Sequence, residues 1–95
     1  MRHLLLMRCV PDGLTAERRV LIENFYARMA EAVDGVNGVQ IRYNCVARDQ
    51  NMDVLVEMDI DGPGTLAAYL EHPLHQDFVR ESKSFISAVV SFDCQ

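Results

Sequence analysis

The sequence has 95 residues, of which 49% are hydrophobic and 24% charged, with a formal net charge of −5 and a pI of about 5.0. This length predicts one domain covering residues 1–95, and the composition is that of a folded globular chain rather than a disordered one. The acidic balance lacks the basic footprint of a nucleic-acid-binding protein and argues against attachment to anionic lipid.

Neither a membrane span nor a secreted disulfide framework is expected. The longest early apolar run, residues 4–7, is too short for a transmembrane helix or a signal-peptide core, so we expect a cytoplasmic protein. The three cysteines, Cys9, Cys45 and Cys94, form an odd set without CxxC spacing. We therefore predict free cysteines that act as small buried hydrophobic residues in strands.

Residues 2–10 are predicted to form the first strand. Both of its alternating sets are largely apolar, which favours a central strand that is covered on both faces. The first set is His3, Leu5, Met7 and Cys9, and the second is Leu4, Leu6, Arg8 and Val10. The sequence Pro-Asp-Gly at residues 11–13 is expected to end the strand in a turn.

Residues 15–33 carry the clearest helical pattern. Thr15 is a suitable N-cap, and Gly35 is placed to take the left-handed conformation after the helix ends. The apolar stripe predicted to face the core consists of Leu14, Leu21, Phe25, Met29, Ala32 and Val33.

Three further strands follow from alternation of apolar and polar residues. The second runs from Val39 to Cys45, the third from Met52 to Ile60 and the fourth from Ile86 to Cys94. A polar segment at residues 48–51 joins the second and third strands as a hairpin connection.

Between the third and fourth strands lies a broken helical segment. A short helix is predicted from Thr65 to Glu71, and a second helix from Pro73 to about Ser84. His72 precedes a proline, which disfavours a continuous helix, whereas proline is tolerated in the first turn of a new one. The break should bring Tyr69, His72 and His75 close together.

The element order βαββ, broken helix, β predicts an α+β fold of ferredoxin-like topology. In this fold a four-stranded antiparallel sheet carries its helices on one face. The other face would expose an apolar patch made of Leu4, Leu6, Val10, Leu55 and Val89. Because so large a patch is unusual on a monomer, we predict a homodimer that packs sheet against sheet.

The chain resembles a known family in two stretches. Arg2-His3 opens an apolar first strand, and residues 69–78 follow the pattern Y-x-x-H-P-x-H-x-x-F. Both are similar to the stress-responsive dimeric α/β-barrel (Dabb) family. The resemblance implies a dimer whose two sheets form a barrel, with a cavity between the sheet and the helices of each protomer.

The resemblance also implies which residues could act on a ligand. One plant branch of the family contains polyketide cyclases, in which a first-strand histidine and the tyrosine and second histidine of the motif line the cavity. The matching residues are His3, Tyr69 and His75. The cyclases carry a further polar residue on the third strand, whereas this chain has Val54 at that position.

The residue types suit proton transfer without a cofactor. His75 could abstract a proton beside a carbonyl group, while Tyr69 donates a hydrogen bond to the enolate oxygen and His3 helps to orient the substrate. Leu5, Val54 and Phe78 are predicted to contact an apolar or aromatic ligand. The activity predicted is a cyclisation or isomerisation.

Structural roles compete with these predictions. His3 and Tyr69 could be buried core residues with satisfied polar atoms, and His72 is expected to satisfy a helix end. A non-catalytic stress-response or ligand-binding module is therefore the alternative to an enzyme. A cofactor-independent oxygenase is a further alternative, based on fold analogy alone.

No metal site or organic cofactor is predicted. His72 and His75 have the i, i+3 spacing of paired ligands, but Pro73 separates them and no third ligand lies at a recognised spacing.

Overall fold

The structure of the protein, a computed structural model, describes residues 1–95. Seven elements follow one another: β1 (Arg2–Cys9), α1 (Ala16–Ala32), β2 (Val36–Tyr43), β3 (Val54–Ile60), α2 (Pro63–Glu71), α3 (Pro73–Ser82) and β4 (Ile86–Cys94). The four strands form one sheet in the order β2-β3-β1-β4, in which every neighbouring pair is antiparallel. The predicted α+β, ferredoxin-like fold is confirmed, with β1 in a central position.

The helices pack on one face of the sheet, so each strand has an inner, helix-facing side and an outer side. On β1 the inner residues His3, Leu5, Met7 and Cys9 are buried, and they join the buried residues of β3 and α1 in one core. The outer residues of β1 are half-buried or exposed in the isolated chain. The prediction that both faces of β1 are covered therefore requires a partner on the outer face.

The fourth strand differs from its predicted pattern because of an irregularity in its pairing with β1. Cys9 is opposite Ile86, but Arg8 is opposite Ala88, so one residue of β4 has no partner. Such a bulge reverses which residues face inwards. Val89 therefore lies on the inner side, opposite Met7, and the prediction that it belongs to the outer apolar patch is wrong. Val90 and Phe92 lie on the outer side instead, opposite Leu6 and Leu4.

Helix α1 begins as predicted, and Phe25, Met29 and Val33 of its predicted stripe are buried, but other members of the stripe are not. The hydroxyl of Thr15 accepts a hydrogen bond from the backbone N–H of Arg18 at 3.2 Å, which is the expected N-cap. The buried residues are Ile22, Phe25, Tyr26 and Met29, whereas Leu21 and Ala32 are exposed. Leu21 lies at the edge of the stripe, where it faces the groove between α1 and α3.

The helix break at His72 and Pro73 is confirmed. His72 has extended backbone angles, with φ −65° and ψ 138°, and serves as both the C-cap of α2 and the N-cap of α3. Its ring Nδ1 accepts a hydrogen bond from the backbone N–H of Leu74 at 3.1 Å. The side chain of His72 thus stabilises the start of α3, which turns the following His75 towards the sheet.

Gly35 connects α1 to β2 in a conformation that favours glycine. Its φ is +94°, and a Cβ added there would clash with Oγ1 of Thr65 at the start of α2. We expect Gly35→Ala to lower the free energy of unfolding by roughly 1–2 kcal/mol or more, because left-handed backbone and the close contact both oppose a side chain. Urea unfolding would measure this.

Gly64 supplies the control for that substitution. It lies in α2 with nothing within 4 Å of an added Cβ, so Gly64→Ala should raise the free energy of unfolding by about 0.5–1 kcal/mol. Equal effects at the two glycines would contradict the proposed role of Gly35.

The three cysteines are free, but only Cys9 fits the prediction of a buried strand residue. Cys94 is half-buried at the end of β4, and Cys45 is exposed beyond the end of β2.

The bounds of the second strand differ from the prediction of Val39 to Cys45, because β2 starts earlier, at Val36, and ends earlier, at Tyr43. None of the three helices combines the length and the apolar character needed to cross a membrane.

Candidate functional site

A cavity of about 610 Å³ lies between the inner side of β1 and β4 and the helices α2 and α3. This volume is within the range of about 300–1,000 Å³ typical of small-molecule sites. Ten of its sixteen lining residues are hydrophobic. The other six are His3, His75, Ser82, Lys83, Ser91 and Asp93, and two of the hydrophobic ten, Tyr26 and Tyr69, carry a hydroxyl group.

His3 is held in place by a carboxylate on the neighbouring strand. The register pairs His3 of β1 with Asp93 of β4, and Nδ1 of His3 lies 2.5 Å from Oδ1 of Asp93. The side chain of His3 is 5% exposed and that of Asp93 is 40% exposed. Nε2 of His3 is buried and has no hydrogen-bond partner. Because a carboxylate only accepts, the Nδ1–H of His3 donates to Asp93.

Three aromatic rings meet at the inner end of the cavity. The ring centroids of Tyr69 and His75 are 4.8 Å apart in an edge-to-face arrangement, and those of His3 and Tyr69 are 6.0 Å apart. Tyr69 thus lies between the two histidines, although His3 is on β1 and the other two are on either side of the helix break. His3 and His75 share the same side of the sheet, as the predicted site requires.

Tyr69 is also paired with a second tyrosine. The hydroxyl oxygens of Tyr69 and Tyr26 are 3.4 Å apart, and both side chains are almost completely buried. Burial raises the pKa of Tyr69 to about 12, an effect that the hydrogen bond with Tyr26 partly opposes. Burial, together with the neighbouring Tyr69, also raises the pKa of Tyr26 well above its usual value. Both hydroxyls therefore stay protonated and able to donate.

His75 is the most accessible member of the group. It is half-buried, and burial lowers the pKa of its imidazole below the usual value. A backbone interaction with Leu70 opposes this lowering of the pKa, and the nearby His3 ring adds to it. His75 consequently favours the neutral form, which can accept a proton.

Two of the three predicted ligand contacts line this cavity. Leu5 projects from β1, and Phe78 of α3 stacks on Phe25 at a centroid distance of 4.1 Å. Val54 is buried in β3 beside Met7, but it is not among the cavity-lining residues. The structure therefore separates Val54 from the other candidate residues.

The sequence prediction did not identify Tyr26 or Asp93. Tyr26 could have been noticed as a residue with a polar tip beside the predicted stripe of α1. Asp93 gave no local signal, because its pairing with His3 spans 90 residues of sequence.

No group of three or more His, Cys, Asp or Glu side chains comes together in a metal-binding arrangement. His72, one member of the i, i+3 pair, uses Nδ1 to cap α3.

A protein-family model described as the Stress responsive A/B Barrel Domain (Dabb) matches residues 1–95. The chain belongs to the Dabb family. No curated protein matches the chain at a significant level.

Solved structures of similar fold include plant and bacterial proteins. An Arabidopsis thaliana protein superposes with a TM-score of 0.81 at 19% identity, covering 99% of this chain and 92% of that one. A Thermobifida fusca protein described as a dimeric ferredoxin-like protein of unknown function gives 0.75 at 21% identity, covering 96% and 85%. The hydroxynitrile lyase of Passiflora edulis gives 0.77 at 13% identity, covering 96% and 87%. The Dabb fold thus occurs both in an enzyme and in proteins without an assigned activity.

Proposed function

We propose that the protein binds an apolar or aromatic carbonyl compound in this cavity and transfers a proton without a cofactor. The observation that carries the proposal is the packing of His3, Tyr69 and His75 around one largely apolar cavity, with the accessible imidazole kept neutral. A neutral imidazole beside protonated phenols is a suitable set of groups for abstracting a proton next to a carbonyl.

In the proposed reaction His75 takes the proton from the carbon next to the carbonyl. The electrons of that C–H bond form a C=C bond, and those of the C=O bond move to its oxygen. A tyrosine hydroxyl donates to this oxygen. One hydrogen bond between Tyr69 and Tyr26 uses only one of two O–H groups, so a second proton is free to donate. If the enolate is conjugated with a C=C bond, return of the proton from His75 to the far carbon of that bond gives an isomer. If the enolate carbon instead attacks a second carbonyl of the same ligand, a ring forms, and the oxygen of that carbonyl takes the proton from His75.

His3 and Asp93 are proposed to position the other groups. Because Nε2 of His3 is covered, His3 acts on the ligand through its neighbours rather than by direct contact in this arrangement. Its ring packs against Tyr69 and contributes to lowering the pKa of His75. The carboxylate of Asp93 fixes the ring orientation of His3.

A non-catalytic ligand-binding module is the second candidate. It is favoured by two polar pairs that form within the fold, one between Tyr69 and Tyr26 and the other between His3 and Asp93. Such pairing is also what a structural role would require.

We also propose that the protein is a homodimer. The outer face of the sheet exposes Leu6, Val90 and Phe92, with Leu4 and Leu55 half-buried beside them. Towards β2 the same face carries Glu57, which forms ion pairs with Arg2 and Arg42. A two-fold axis would bury the apolar part of this face against itself. The dimeric description of the related T. fusca protein supports this arrangement.

The direct test of proton transfer is hydrogen–deuterium exchange. A β-diketone with apolar arms would be incubated with the protein in D₂O, and loss of the signal from the protons between the carbonyls would be followed by NMR. Faster exchange with the protein than with an equal concentration of free imidazole supports the proposal. Tight binding without faster exchange would favour the ligand-binding module.

The pH dependence of this exchange provides a further prediction. Because burial lowers the pKa of His75, the base is already neutral below the pH at which an ordinary histidine, with a pKa of about 6.5, loses its proton. We expect the exchange rate to rise with pH through a midpoint below about 6.5, the pKa of an ordinary histidine, and then to stay constant. Rates corrected for the background in buffer would be measured across this range. A midpoint above about 6.5 would contradict the role of His75.

A further inference from the structure

The cavity has a polar inner end and an apolar mouth. His3, Tyr26 and Tyr69 are the innermost polar residues, and none is more than 4% exposed. Leu70, Val79 and Val89 also line the cavity, yet they are 45%, 52% and 53% exposed. The apolar residues at the mouth are therefore accessible to solvent, while the hydrogen-bonding groups lie deep within the fold.

The mouth is open because the helices do not cover β4. Met7 and Val89 are directly opposite each other on the inner side of the sheet, but Met7 is 3% exposed and Val89 is 53% exposed. Leu5 and Ser91 show the same contrast, since Leu5 is buried and Ser91 is exposed. The cover provided by α2 and α3 thus ends between β1 and β4. The inner side of β4 is left uncovered at Val89 and Ser91, and Val89 lines the mouth together with Leu70 and Val79.

Charge at the mouth gives no net preference for an ion. The two charged side chains that line the cavity are Lys83 and Asp93, which have opposite signs, and the carboxylate of Asp93 is engaged by His3. A ligand that crosses this region therefore gains most from apolar contact.

We infer that the ligand is a neutral amphiphile that enters with its carbonyl group first. The carbonyl lies at the inner end near Tyr69 and His75, and an unbranched apolar chain leaves through the mouth over Val89, between Leu70 and Val79. The inference rests on the proposed function for the position of the carbonyl group, but the direction of the chain follows from the exposed apolar residues at the mouth.

The first experiment varies the length of the chain. Straight-chain methyl ketones, lengthened by one methylene at a time, would be titrated into the protein by calorimetry. Quenching of tyrosine fluorescence is a second readout, because the protein has no tryptophan and two of its three tyrosines line the cavity. We expect the affinity to rise about fourfold per methylene while the chain covers the mouth, since burying a CH₂ group contributes about 0.8 kcal/mol. An affinity that is independent of chain length would overturn the inference.

The second experiment determines the direction of the chain. Each ketone would be compared with a ligand of the same chain length that keeps the ketone at one end and carries a carboxylate at the other end. If the carbonyl enters first, the carboxylate of a long chain reaches solvent, and the affinity falls by less than about tenfold. If the chain enters first, the carboxylate must give up its hydration at the inner end, where only the tyrosine and histidine side chains could replace it, and the affinity falls by far more than tenfold. Loss of binding for the long carboxylates would therefore refute the proposed orientation.

Two exposed valines provide matched variants. Val79 lines the mouth, whereas Val20 is equally exposed, at 54%, on α1 away from this cavity. Val79→Asp should weaken binding of long-chain ketones by about tenfold or more and leave short ones nearly unchanged, while Val20→Asp should match the wild type at every length. Equal effects of the two variants would contradict the inference.

These outcomes are separate from the outcome of the exchange test. Chain-length dependence without faster proton exchange would remove the proposed chemistry but keep the orientation of the ligand. Faster exchange without chain-length dependence would support the proposed proton transfer and refute the proposal that the ligand is an amphiphile.

Discussion

His75→Asn is expected to reduce the protein-catalysed rate of hydrogen–deuterium exchange by about 10²–10⁴-fold, the usual contribution of a positioned general base. The asparagine side chain retains hydrogen-bonding capacity but cannot accept the proton. Because His75 is only half-buried, the fold should tolerate the change. The rate would be measured with saturating β-diketone, and the affinity for the same ligand would be measured separately.

The same substitution at the neighbouring histidine is the control. His72 caps α3 through its Nδ1, and asparagine is among the preferred N-cap residues, so His72→Asn should keep both the fold and the exchange rate. Circular dichroism and urea unfolding would check the fold of both variants. An exchange rate that is unchanged in His75→Asn, or lost equally in both variants, would remove His75 as the base. Retained ligand binding without exchange in the wild type would leave the non-catalytic module as the function.

The second large effect is expected for a substitution on the outer face of the sheet, where the proposed dimer forms. Val90→Asp should weaken the proposed dimer by roughly 10²-fold or more, because leaving an unpaired charge buried costs about 3–5 kcal/mol and a two-fold interface carries the substitution twice. Light scattering should give about twice the 10.8 kDa chain mass for the wild type and the mass of one chain for the variant at the same concentration.

Val89 is a control within the same strand. Val89 and Val90 are 53% and 56% exposed, yet the register places them on opposite sides of the sheet. Val89→Asp should therefore stay dimeric while weakening the binding of long-chain ketones. A wild-type chain that is monomeric at micromolar concentration would refute the dimer, and dissociation of both variants would show that the outer face is not the specific interface.

Local features of the fold could be predicted because their causes lie within a few residues. Thr15 caps the turn that follows it, and Gly35 adopts a left-handed conformation that other residues disfavour. Pro73 removes a backbone donor and forces the break that His72 then caps. Each of these features depends on backbone sterics or on a hydrogen bond to a close neighbour in sequence, so none of them requires knowledge of the rest of the chain.

Predictions failed where a distant element determined the outcome. Alternation alone placed Val89 on the outer side of the sheet. The bulge opposite Arg8 and Cys9 reverses which residues of β4 face inwards, so Val89 lies on the inner side. Leu21 and Ile22 are both apolar and adjacent, and the position of α1 over the sheet determines that Ile22 is the buried one. Val54 fits its predicted strand, yet the cavity lies over the opposite part of the sheet, beside β1 and β4.

The sequence by itself determined the order of the elements, the break at His72 and Pro73, and the residue types His3, Tyr69 and His75, because periodicity, caps and proline act over short distances. Only the tertiary structure decided that Asp93 holds His3, that Tyr26 pairs with Tyr69, and that the mouth opens along β4. These contacts join residues 43 to 90 positions apart, and strand register and helix placement bring them together. The physical reason is that pairing energy between distant segments, and not local preference, fixes which side chains share a cavity.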